Sequence, residues 1–353
     1  FSLGGPILKD KLHFFMAWDH QQDSRPLIIA DILSPVDENR FNVTRNTLDQ
    51  FVNIARSKYG MADTQQFGSF DKKRGSDAAF LRLDWQLNNR NLLTIRNNYT
   101  NDRNKLGLAD NTTINAYESY RNDFNQDNSL LASLRTTLNS KVTNELKVQH
   151  LFIKQKSAPG DQLPAANIPR AIVENVNSVL SDGSSRATNI QMGGHRFAQE
   201  RFTNHVVQLV DNLYYNTDKV EYTFGVDVMM TRSNSTYGSE VNGRFHYNVD
   251  AAAGKTSLDQ FNDLKPYRYY REVPLMDDWS VKGTIWNAGI YGQMKTSLAT
   301  GLDVVAGLRL DYAHYPSSPL NQTLYDALKI RTDNKIKSFV VQPRVQFTWD
   351  VND

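Results

Sequence analysis

The sequence predicts an all-β fold, a transmembrane antiparallel up-and-down β-barrel of which about eleven strands are present. The segment 285–312 is the clearest example, because two long alternating runs meet at a tight turn at Ala299, Thr300 and Gly301. Successive side chains of a strand point to opposite faces, so the second run has one apolar and one polar face. Each run is more than twice the usual strand length of about 5 to 6 residues, which favours lipid on one side and a wet lumen on the other. The apolar positions are Leu302, Val304, Ala306, Leu308, Leu310 and Tyr312, and the opposite positions include Asp303, Gly307, Arg309 and Asp311.

The composition of the chain excludes several classes of protein and of site. The chain has 353 residues, a formal net charge of +2 and no cysteine, and its mean hydropathy is -0.55. No stretch approaches the roughly 18 to 20 apolar residues of a membrane-spanning helix, whereas alternating strands dilute their apolar signal with lumen residues. The near-neutral charge argues against a nucleic-acid partner, and the lack of cysteine excludes disulfides and thiolate sites. No signal peptide precedes Phe1, so we expect a fragment or processed part of a longer protein.

Two hairpins are predicted before residue 101. Their strands cover residues 1–7 and 12–19, and residues 78–87 and 92–100, each pair around a short polar turn. The third strand sets Leu81, Leu83, Trp85 and Leu87 against Arg82, Asp84 and Gln86, and the fourth sets Leu93, Ile95 and Tyr99 against Thr94, Arg96 and Asn98.

One helix is predicted in the first long connection, at residues 47–59. Leu48, Phe51 and Ala55 recur at helical spacing, Asn46 is the expected N-cap, and Gly60 follows as a stop. We expect a short helix packed within a surface loop, with a partner-binding helix as the alternative.

The remaining strands repeat the pattern. Alternation is most regular at residues 220–232, where Val226 and Val228 oppose Asp227, whereas Asp211 interrupts the apolar face of the preceding strand. The predicted strands of this part are 129–138, 142–153, 203–215, 220–232, the two runs of 285–312, and 339–350.

The connections alternate between about three or four residues and about twenty to fifty-five. Short periplasmic turns and long extracellular loops are typical of an outer-membrane barrel, whereas a soluble sandwich follows no such rule. Aromatic residues also lie near the short turns, which suits an interfacial belt. These aromatic residues are Trp85, Tyr215, Tyr222 and Trp349. The predicted extracellular loops cover about 21–77, 102–121, 156–199, 233–281 and 316–335 of one partial barrel domain spanning 1–353.

Four stretches resemble the TonB-dependent outer-membrane receptors, and in particular their Oar-like branch, common in Bacteroidota. These are FSLGGPILKDKLHFF at 1–15, FLRLDWQLNNRNLLTIRNNYT at 80–100, IYGQMKTSLATGLDVVAGLRLDY at 290–312 and VVQPRVQFTWDVND at 340–353. The resemblance implies a 22-stranded barrel, an N-terminal plug inside it, and active uptake driven by the TonB complex. It also implies location in the outer membrane of a Gram-negative bacterium.

The chain departs from that family in two ways. The plug and the TonB-contacting segment have no counterpart here, so the energised step is assigned to no residue of this chain. About eleven strands are also half of the family's barrel and an odd number, and open sheet edges are costly in lipid. We therefore expect more strands before Phe1 and after Asp353 in the parent protein.

Two groups of residues are candidates for contact with ligand or plug. Charges on the predicted lumen face would touch the plug or the transported ligand, with cross-strand ion pairing along a wet wall as the alternative. Three tyrosines in an outer loop would offer rigid rings to a sugar or peptide, with packing inside the loop as the alternative. The lumen-face candidates are Arg82, Asp84, Arg96, Glu221, Asp227, Arg309, Asp311 and Arg344, and the loop candidates are Tyr267, Tyr269 and Tyr270.

Catalytic and metal chemistry is not predicted. No histidine pair has ligand spacing and the Asp277-Asp278 pair stands alone, so we expect no metal and no cofactor. Serine, histidine and aspartate are scattered and no nucleophile motif occurs, so we expect no enzyme. A passive porin or an adhesive or assembly barrel remains an alternative. The expected partners are outer-membrane lipid, the plug and TonB complex of the parent protein, and an unknown ligand such as a siderophore, oligosaccharide, peptide or vitamin.

Overall fold

The computed structural model describes residues 1–109, 113–197, 199–274 and 278–351. Asp277 of the predicted acidic pair, and Asn352 and Asp353 at the end of the last family-like stretch, lie outside these ranges. The strands are β1 (Ser2–Leu8), β2 (Leu12–Ile29), β3 (Gly68–Asn88), β4 (Asn91–Leu108), β5 (Ile114–Asn115), β6 (Arg121–Thr137), β7 (Val142–Ala158), β8 (Arg170–Val179), β9 (Ser185–Gly193), β10 (Arg201–Asn216), β11 (Val220–Thr236), β12 (Arg244–Tyr247), β13 (Arg268–Tyr270), β14 (Ser280–Ala299), β15 (Leu302–Tyr315) and β16 (Ile336–Trp349). The helices are α1 (Pro35–Phe41), α2 (Arg45–Tyr59), α3 (Ser257–Asn262) and α4 (Gln322–Leu328), with a 3-10 turn at Tyr117–Ser119.

One large sheet contains eleven strands in the order β1-β2-β3-β4-β6-β7-β10-β11-β14-β15-β16. Every neighbouring pair is antiparallel, and each strand pairs with the next wall strand along the chain. Within the described residues the sheet is unclosed, with β1 and β16 at its edges. The tight turn between β14 and β15 contains Gly301 at φ 73, a left-handed conformation that glycine adopts without steric cost. The predicted antiparallel up-and-down order of eleven strands is therefore confirmed.

The strand register gives the sheet two different faces. Leu83 pairs with Phe14 on one side and with Ile95 on the other, and paired residues share a face. Following the register across the sheet gives one apolar row and, one residue along, a mostly polar row. The apolar row is Phe14, Leu83, Ile95, Ala132, Val148, Leu209, Val228, Ala288, Tyr312 and Phe339, and the polar row is His13, Asp84, Thr94, Ser133, Lys147, Val210, Asp227, Gly289, Asp311 and Val340.

Asp211 lies on the apolar face, between Leu146 and Val226 in the register. The Asn144 side-chain amide donates a hydrogen bond of 2.6 Å to its carboxylate. A polar side chain on this face thus has a polar partner on the neighbouring strand, which lowers the cost of its position.

The wall strands run further than the alternation predicts, mostly at the end opposite the short turns. β2 extends ten residues beyond Asp19, and β3 begins at Gly68 rather than Ala78. Apart from Leu27, Ile28 and Ile29 at the end of β2, these extensions are mostly polar on both faces, because both faces lie beyond the apolar band. The two-faced pattern is therefore lost while strand pairing continues. The long connections are therefore 30–67, 109–120, 159–200, 237–279 and 316–335.

A second sheet, which sequence reasoning missed, forms from the long connections. Its five strands have the order β13-β12-β8-β9-β5, with α2 and α3 packed beside it. Four connections contribute to a single apolar core, and we call this unit the cap. No helix in the described ranges is long and apolar enough to cross a membrane. The buried core of the cap is Ala30, Ile32, Val43, Leu48, Phe51, Ala55, Met61, Ala116, Ala171, Val173, Val176, Ile190, Met192, Tyr247 and Phe261.

Helix α2 confirms the predicted helix but corrects its start. The helix begins at Arg45, and its N-cap is Thr44, whose hydroxyl accepts a hydrogen bond from the Thr47 amide. Threonine and asparagine are both residue types that cap helices. Thr44 is the N-cap here because its hydroxyl accepts a hydrogen bond from the amide three residues later. Gly60 caps the other end in a left-handed conformation, as predicted.

Candidate functional site

The register places all eight lumen-face candidates on the polar face of the wall. Arg82 and Asp84 form a two-point ion pair, with nitrogen to oxygen distances of 2.7 and 2.9 Å. The Thr94 hydroxyl donates a further hydrogen bond of 2.7 Å to Asp84. Both charged side chains remain partly exposed, so the pair is solvated and contributes little to stability.

Arg309 links two carboxylates on β11 and β15, the two strands that flank β14. Its guanidinium lies 2.8 Å from Asp311 and 3.6 Å from Asp227. Gly289 stands between them in the register, and a Cβ there would collide with the guanidinium and with the Asp311 carboxylate. Gln342 donates to Asp311 at 2.7 Å and Gln208 donates to Asp227 at 2.9 Å. This network spans five strands of the lumen face.

The other lumen-face candidates, Arg344, Arg96 and Glu221, form fewer contacts with protein groups than the Arg309 network does. Arg344 donates to Gln346 at 3.1 Å, whereas Arg96 and Glu221 form no ion pair within the described part of the chain. Arg96 lies directly opposite Arg82 in the register. Both arginines line an open recess of about 380 Å³ on the wall, together with Lys147 and Gln208. A recess with these donors suits a carboxylate or another anionic group.

The cap covers the end of the wall with the long connections, held by contacts between loops that are distant in sequence. The Tyr59 hydroxyl donates to the Phe261 carbonyl at 2.6 Å, and the two rings stack with centroids 4.3 Å apart. The Ser178 hydroxyl donates to Thr47 at 2.8 Å. These contacts join the connections 30–67, 159–200 and 237–279 into one folded body.

A buried charged group lies inside the cap. Arg170 and Glu240 are 3% and 2% exposed at their side chains and form an ion pair, and Arg244 adds a bond of 3.1 Å to the same carboxylate. Glu118 is also buried, and burial raises the pKa of its carboxyl although the Gly193 amide donates to it at 2.8 Å. Glu240 is thus paired with two guanidiniums, whereas burial shifts the protonation equilibrium of Glu118 toward the neutral carboxyl.

The three tyrosine candidates lie beside and on β13, the edge strand of the cap sheet. Tyr267 is 55% exposed, and its hydroxyl donates to Glu174 at 2.7 Å. Tyr269 packs against Phe245 with centroids 4.7 Å apart, and the Arg244 guanidinium lies 4.9 Å from the Tyr270 ring centre. The tyrosines therefore combine cap packing with exposed ring surface.

Glu174 joins this tyrosine group to a histidine. The His246 imidazole lies 2.6 Å from its carboxylate. Burial opposes ionisation of Glu174, but the hydrogen bonds from Tyr267 and His246 outweigh it and lower the pKa of the carboxyl. Burial also lowers the pKa of His246, with Glu174 acting in the opposite direction. An ionised carboxylate thus lies at this edge of the cap.

A groove on the cap was missed by sequence reasoning. It has a volume of about 820 Å³ and lies between α2, β8 and the segment that leads into α3. Five side-chain amides line it, and those of Gln50, Asn53 and Asn262 are exposed and form no hydrogen bond to protein groups in the described ranges. The lining residues come from three separate loops, so no motif within a single stretch of sequence predicts the groove. The amide residues of the groove are Gln50, Asn53, Asn175, Asn177 and Asn262.

Comparison with solved structures supports the barrel fold. The outer membrane transporter YddB from Escherichia coli matches with a TM-score of 0.55 and 14% identity, covering 99% of this chain and 35% of that one. The FrpB iron transporter from Neisseria meningitidis matches with a TM-score of 0.52 and 8% identity, covering 100% and 42%. FpvA from P. aeruginosa, solved with bound pyoverdines, matches with a TM-score of 0.52 and 9% identity, covering 100% and 38%. The chain thus spans between 35% and 42% of the length of these proteins, and at such identities the likeness concerns the fold.

A search of curated protein sequences finds no match. The family model of the outer membrane beta barrel domain matches residues 36–352, which is most of the chain. In a barrel of this family the apolar face of the eleven-stranded sheet meets lipid and the polar face lines the lumen. From its strand order, its two faces and this match, the chain belongs to the outer membrane β-barrel domain family and resides in the outer membrane of a Gram-negative bacterium.

Proposed function

We propose that this chain is the wall and loop part of a TonB-dependent active transporter that captures a ligand at the cap and imports it through a plugged barrel. The observation that carries the proposal is the cap itself. Four long connections share one core above a polar wall, whereas a passive pore needs no folded body over its entrance. The likeness to an outer membrane transporter and an iron transporter supports the same reading. The four family-like stretches of sequence further favour the Oar-like branch.

The amide groove is the proposed capture site. Asparagine and glutamine side chains offer both a donor and an acceptor without charge, which suits hydroxyl-rich or amide-rich ligands. The charged side chains at its rim are already engaged, since Asp259 caps α3 and Lys255 lies 3.5 Å from Asp263. An oligosaccharide or a peptide therefore fits the groove better than a highly charged ligand, with the exposed rings of Tyr267, Tyr269 and Tyr270 as additional contacts.

The lumen face is the proposed conduit and contact surface for the plug. Arg82, Arg96 and the Arg309 network line the wall, and they would guide ligand or hold the plug by solvated ion pairs that exchange at low cost. This role involves no covalent step, and we propose no catalytic residue.

Uptake in the presence and absence of TonB tests the proposal. The host strain, a strain lacking this receptor and a strain lacking TonB are grown on a defined mixture of oligosaccharides, peptides and ferric siderophores, and depletion of each compound is measured. We expect one compound class to persist in both deletion strains. Uptake that needs the receptor but not TonB would instead identify a passive pore, and depletion independent of the receptor would point to adhesion or assembly.

Variants of the groove test the capture site separately. Replacing Gln50 and Asn53 with leucine removes two exposed amides without touching the cap core. We expect about a tenfold or greater loss of ligand affinity, because the hydrogen-bonding groups of the ligand then stay unpaired. Asn46 and Asp49 are exposed on the same helix and do not line the groove, so their replacement with leucine is the control. Equal losses in both variants would exclude the groove as the capture site.

A further inference from the structure

The lipid-facing side of the wall changes character at its extracellular end. On β11 the outward side chains are apolar from Val220 to Met230, and the next outward residue is Arg232. Ten residues rise about 26 Å along the membrane normal at about 3.4 Å per residue and a tilt of about 40°. This height is close to the apolar band of about 25 Å in such barrels. Arg232 therefore lies one step above the hydrocarbon, at the level of the lipid headgroups.

The neighbouring strands become basic at the same height. Lys156 of β7 pairs directly with Arg201 of β10, and Thr203 of β10 pairs with both Lys154 and Asn234. Lys282 of β14 pairs with Asn234 and so lies on the same face. We call Lys154, Lys156, Arg201, Arg232 and Lys282 the outer basic cluster. The other outward positions of this block on β6, β7, β10, β11 and β14 carry no carboxylate: Phe124, Gln126, Asn128, Phe152, Thr203, His205, Asn234, Thr236, Ser280 and Thr284.

Most of the cluster lacks an anionic partner among the residues that the structure describes. Lys282 pairs with Asp278 at 2.7 Å, and both side chains are more than half exposed. The other four cations form no ion pair within the described ranges. Like charges directly opposite each other destabilise a strand pair, so Lys156 and Arg201 are unfavourably placed unless an external anion lies between them.

At this height the outward and lumen faces of the wall also differ in the sign of their charged side chains. On the lumen side the corresponding positions of β4 and β6 include Asp102, Asp123 and Asp127. Asp102 is paired with Arg74, and Asp123 with Arg121. Within the block on β6, β7, β10, β11 and β14, the charged outward strand positions are thus all cationic, whereas the lumen face carries Asp123 and Asp127 together with Arg121. If charged residues were simply enriched beyond the membrane, both positive and negative side chains would be expected on each face of the wall.

A recess lies within the outward block. It has a volume of about 1060 Å³ and is lined by His205, Arg232 and Lys282 above Met230, and Pro316 also lines it. Exposed Trp286 lies beside Met230 in the register. The recess therefore offers cations at its upper end and apolar surface at its lower end, which is the order of groups in a phosphorylated lipid that enters from the membrane.

We propose that the outer basic cluster binds the phosphate groups of a phosphorylated lipid of the outer leaflet, with an acyl chain against Met230. Charge complementarity and height in the membrane carry this inference. It rests on the membrane placement of the wall and is independent of transport, so either proposal stands if the other fails.

Lipid binding by the purified full-length protein tests the inference. Bisphosphorylated lipid A and a phosphate-free analogue with the same acyl chains are titrated in detergent, and bound lipid is counted by native mass spectrometry. The test variant carries Lys154→Gln, Lys156→Gln, Arg201→Gln and Arg232→Gln. A surface cation contributes about fivefold to such binding, so we expect the variant to bind lipid A at least about tenfold more weakly. The phosphate-free analogue should bind the native protein and the variant with equal, low affinity.

A matched control removes four exposed cations at the opposite end of the wall, by replacing Lys9, Lys11, Lys141 and Lys219 with glutamine. We expect a change of no more than about twofold. Equal losses in both variants, or native binding of the phosphate-free analogue as tight as that of lipid A, would overturn the proposal. Displacement by inorganic phosphate at equal concentration would show a free-anion site and would overturn it too. If the fourfold variant fails to fold, the pair Lys156→Gln and Arg201→Gln serves, since it relieves a like-charge contact and should still weaken lipid A binding.

Discussion

Leu308 provides a direct test of which face of the wall meets lipid. Its side chain is 48% exposed on the apolar face of β15. It lies six residues from Leu302 and four from Tyr312, the first and last apolar residues of that face. With about 3.4 Å per residue and a tilt of about 40°, these separations correspond to heights of about 16 and about 10 Å. Leu308 is thus near the middle of the apolar band, too deep for an arginine to reach water without distortion.

Replacing Leu308 with arginine should cost about 2 to 4 kcal/mol of the free energy of unfolding. Leu302→Arg, near the periplasmic interface on the same strand, should cost only about 0 to 1 kcal/mol. Thr223→Arg places the same side chain on the lumen face beside Gln293 and should be nearly silent. The measurement is reversible denaturant unfolding of the full-length protein in lipid vesicles, followed by tryptophan fluorescence and extrapolated linearly to zero denaturant. Equal costs for Leu308→Arg and Thr223→Arg, or a cost for Leu308→Arg below about 1 kcal/mol, would refute the facing assignment.

Three further predictions concern the wall and the cap. A double-mutant cycle with Arg82→Ala and Asp84→Ala should give a coupling of only about 0.2 to 1 kcal/mol, because the lumen pair is solvated; a coupling above about 2 kcal/mol would contradict this. Glu240→Ala should destabilise the cap by about 3 to 5 kcal/mol, because it removes the carboxylate that pairs with the buried Arg170 and the partly exposed Arg244 guanidiniums. Hydrogen exchange of β8 and β12 measures the loss, and Asp333→Ala, which breaks a partly exposed ion pair with Arg331, is the control. Burial raises the pKa of Glu118 in the folded cap, so the folded state holds its proton more tightly and cap stability should fall as pH rises from the ordinary glutamate value through the raised one. Glu118→Gln should remove that slope in proteolysis rates measured across this pH window, and an unchanged slope would assign it to another group.

The membrane part of the wall could be predicted from the sequence because lipid imposes a strict alternation. Leu81, Leu83 and Trp85 must face hydrocarbon, so the face and register of β3 follow from the order of residues. Beyond the apolar band that constraint disappears. Residues 68–77 pair with β2 although neither face is apolar, and here backbone hydrogen bonds hold the strand without a side-chain pattern.

The cap was beyond sequence reasoning for a different reason. β8 contains a short apolar run at Ala171, Ile172 and Val173, which is the one local signal of a buried strand. The run lies in a stretch rich in proline, serine and glycine, and its partners come from distant parts of the chain. The residues of β12 that pair with β8 lie 74 positions further along the chain, yet the pairing is parallel. Parallel strands from different loops are not joined by a hairpin turn, so no turn motif in the sequence predicts their pairing.

The candidate site also has one part that the sequence predicts and one part that it does not. The lumen-face residues follow from alternation, so Arg309, Asp311 and Asp227 could be assigned to one face before their ion pairs were known. The role of these residues toward plug or ligand stays a prediction. The amide groove joins Asn53, Asn177 and Asn262 from three loops, so only the folded cap brings them together.

The shared core of the cap has a consequence for how the loops of barrels with such a cap diversify. A loop on a barrel is often regarded as a module that can be exchanged alone. Here the connections 30–67, 109–120, 159–200 and 237–279 each supply part of one core, so a single transplanted loop would carry exposed Phe51 or Phe261 into its new host. The unit that must be inherited intact is therefore the set of four loops together. Recombination between related genes should preserve that set, while single substitutions at the groove rim leave the shared core unchanged.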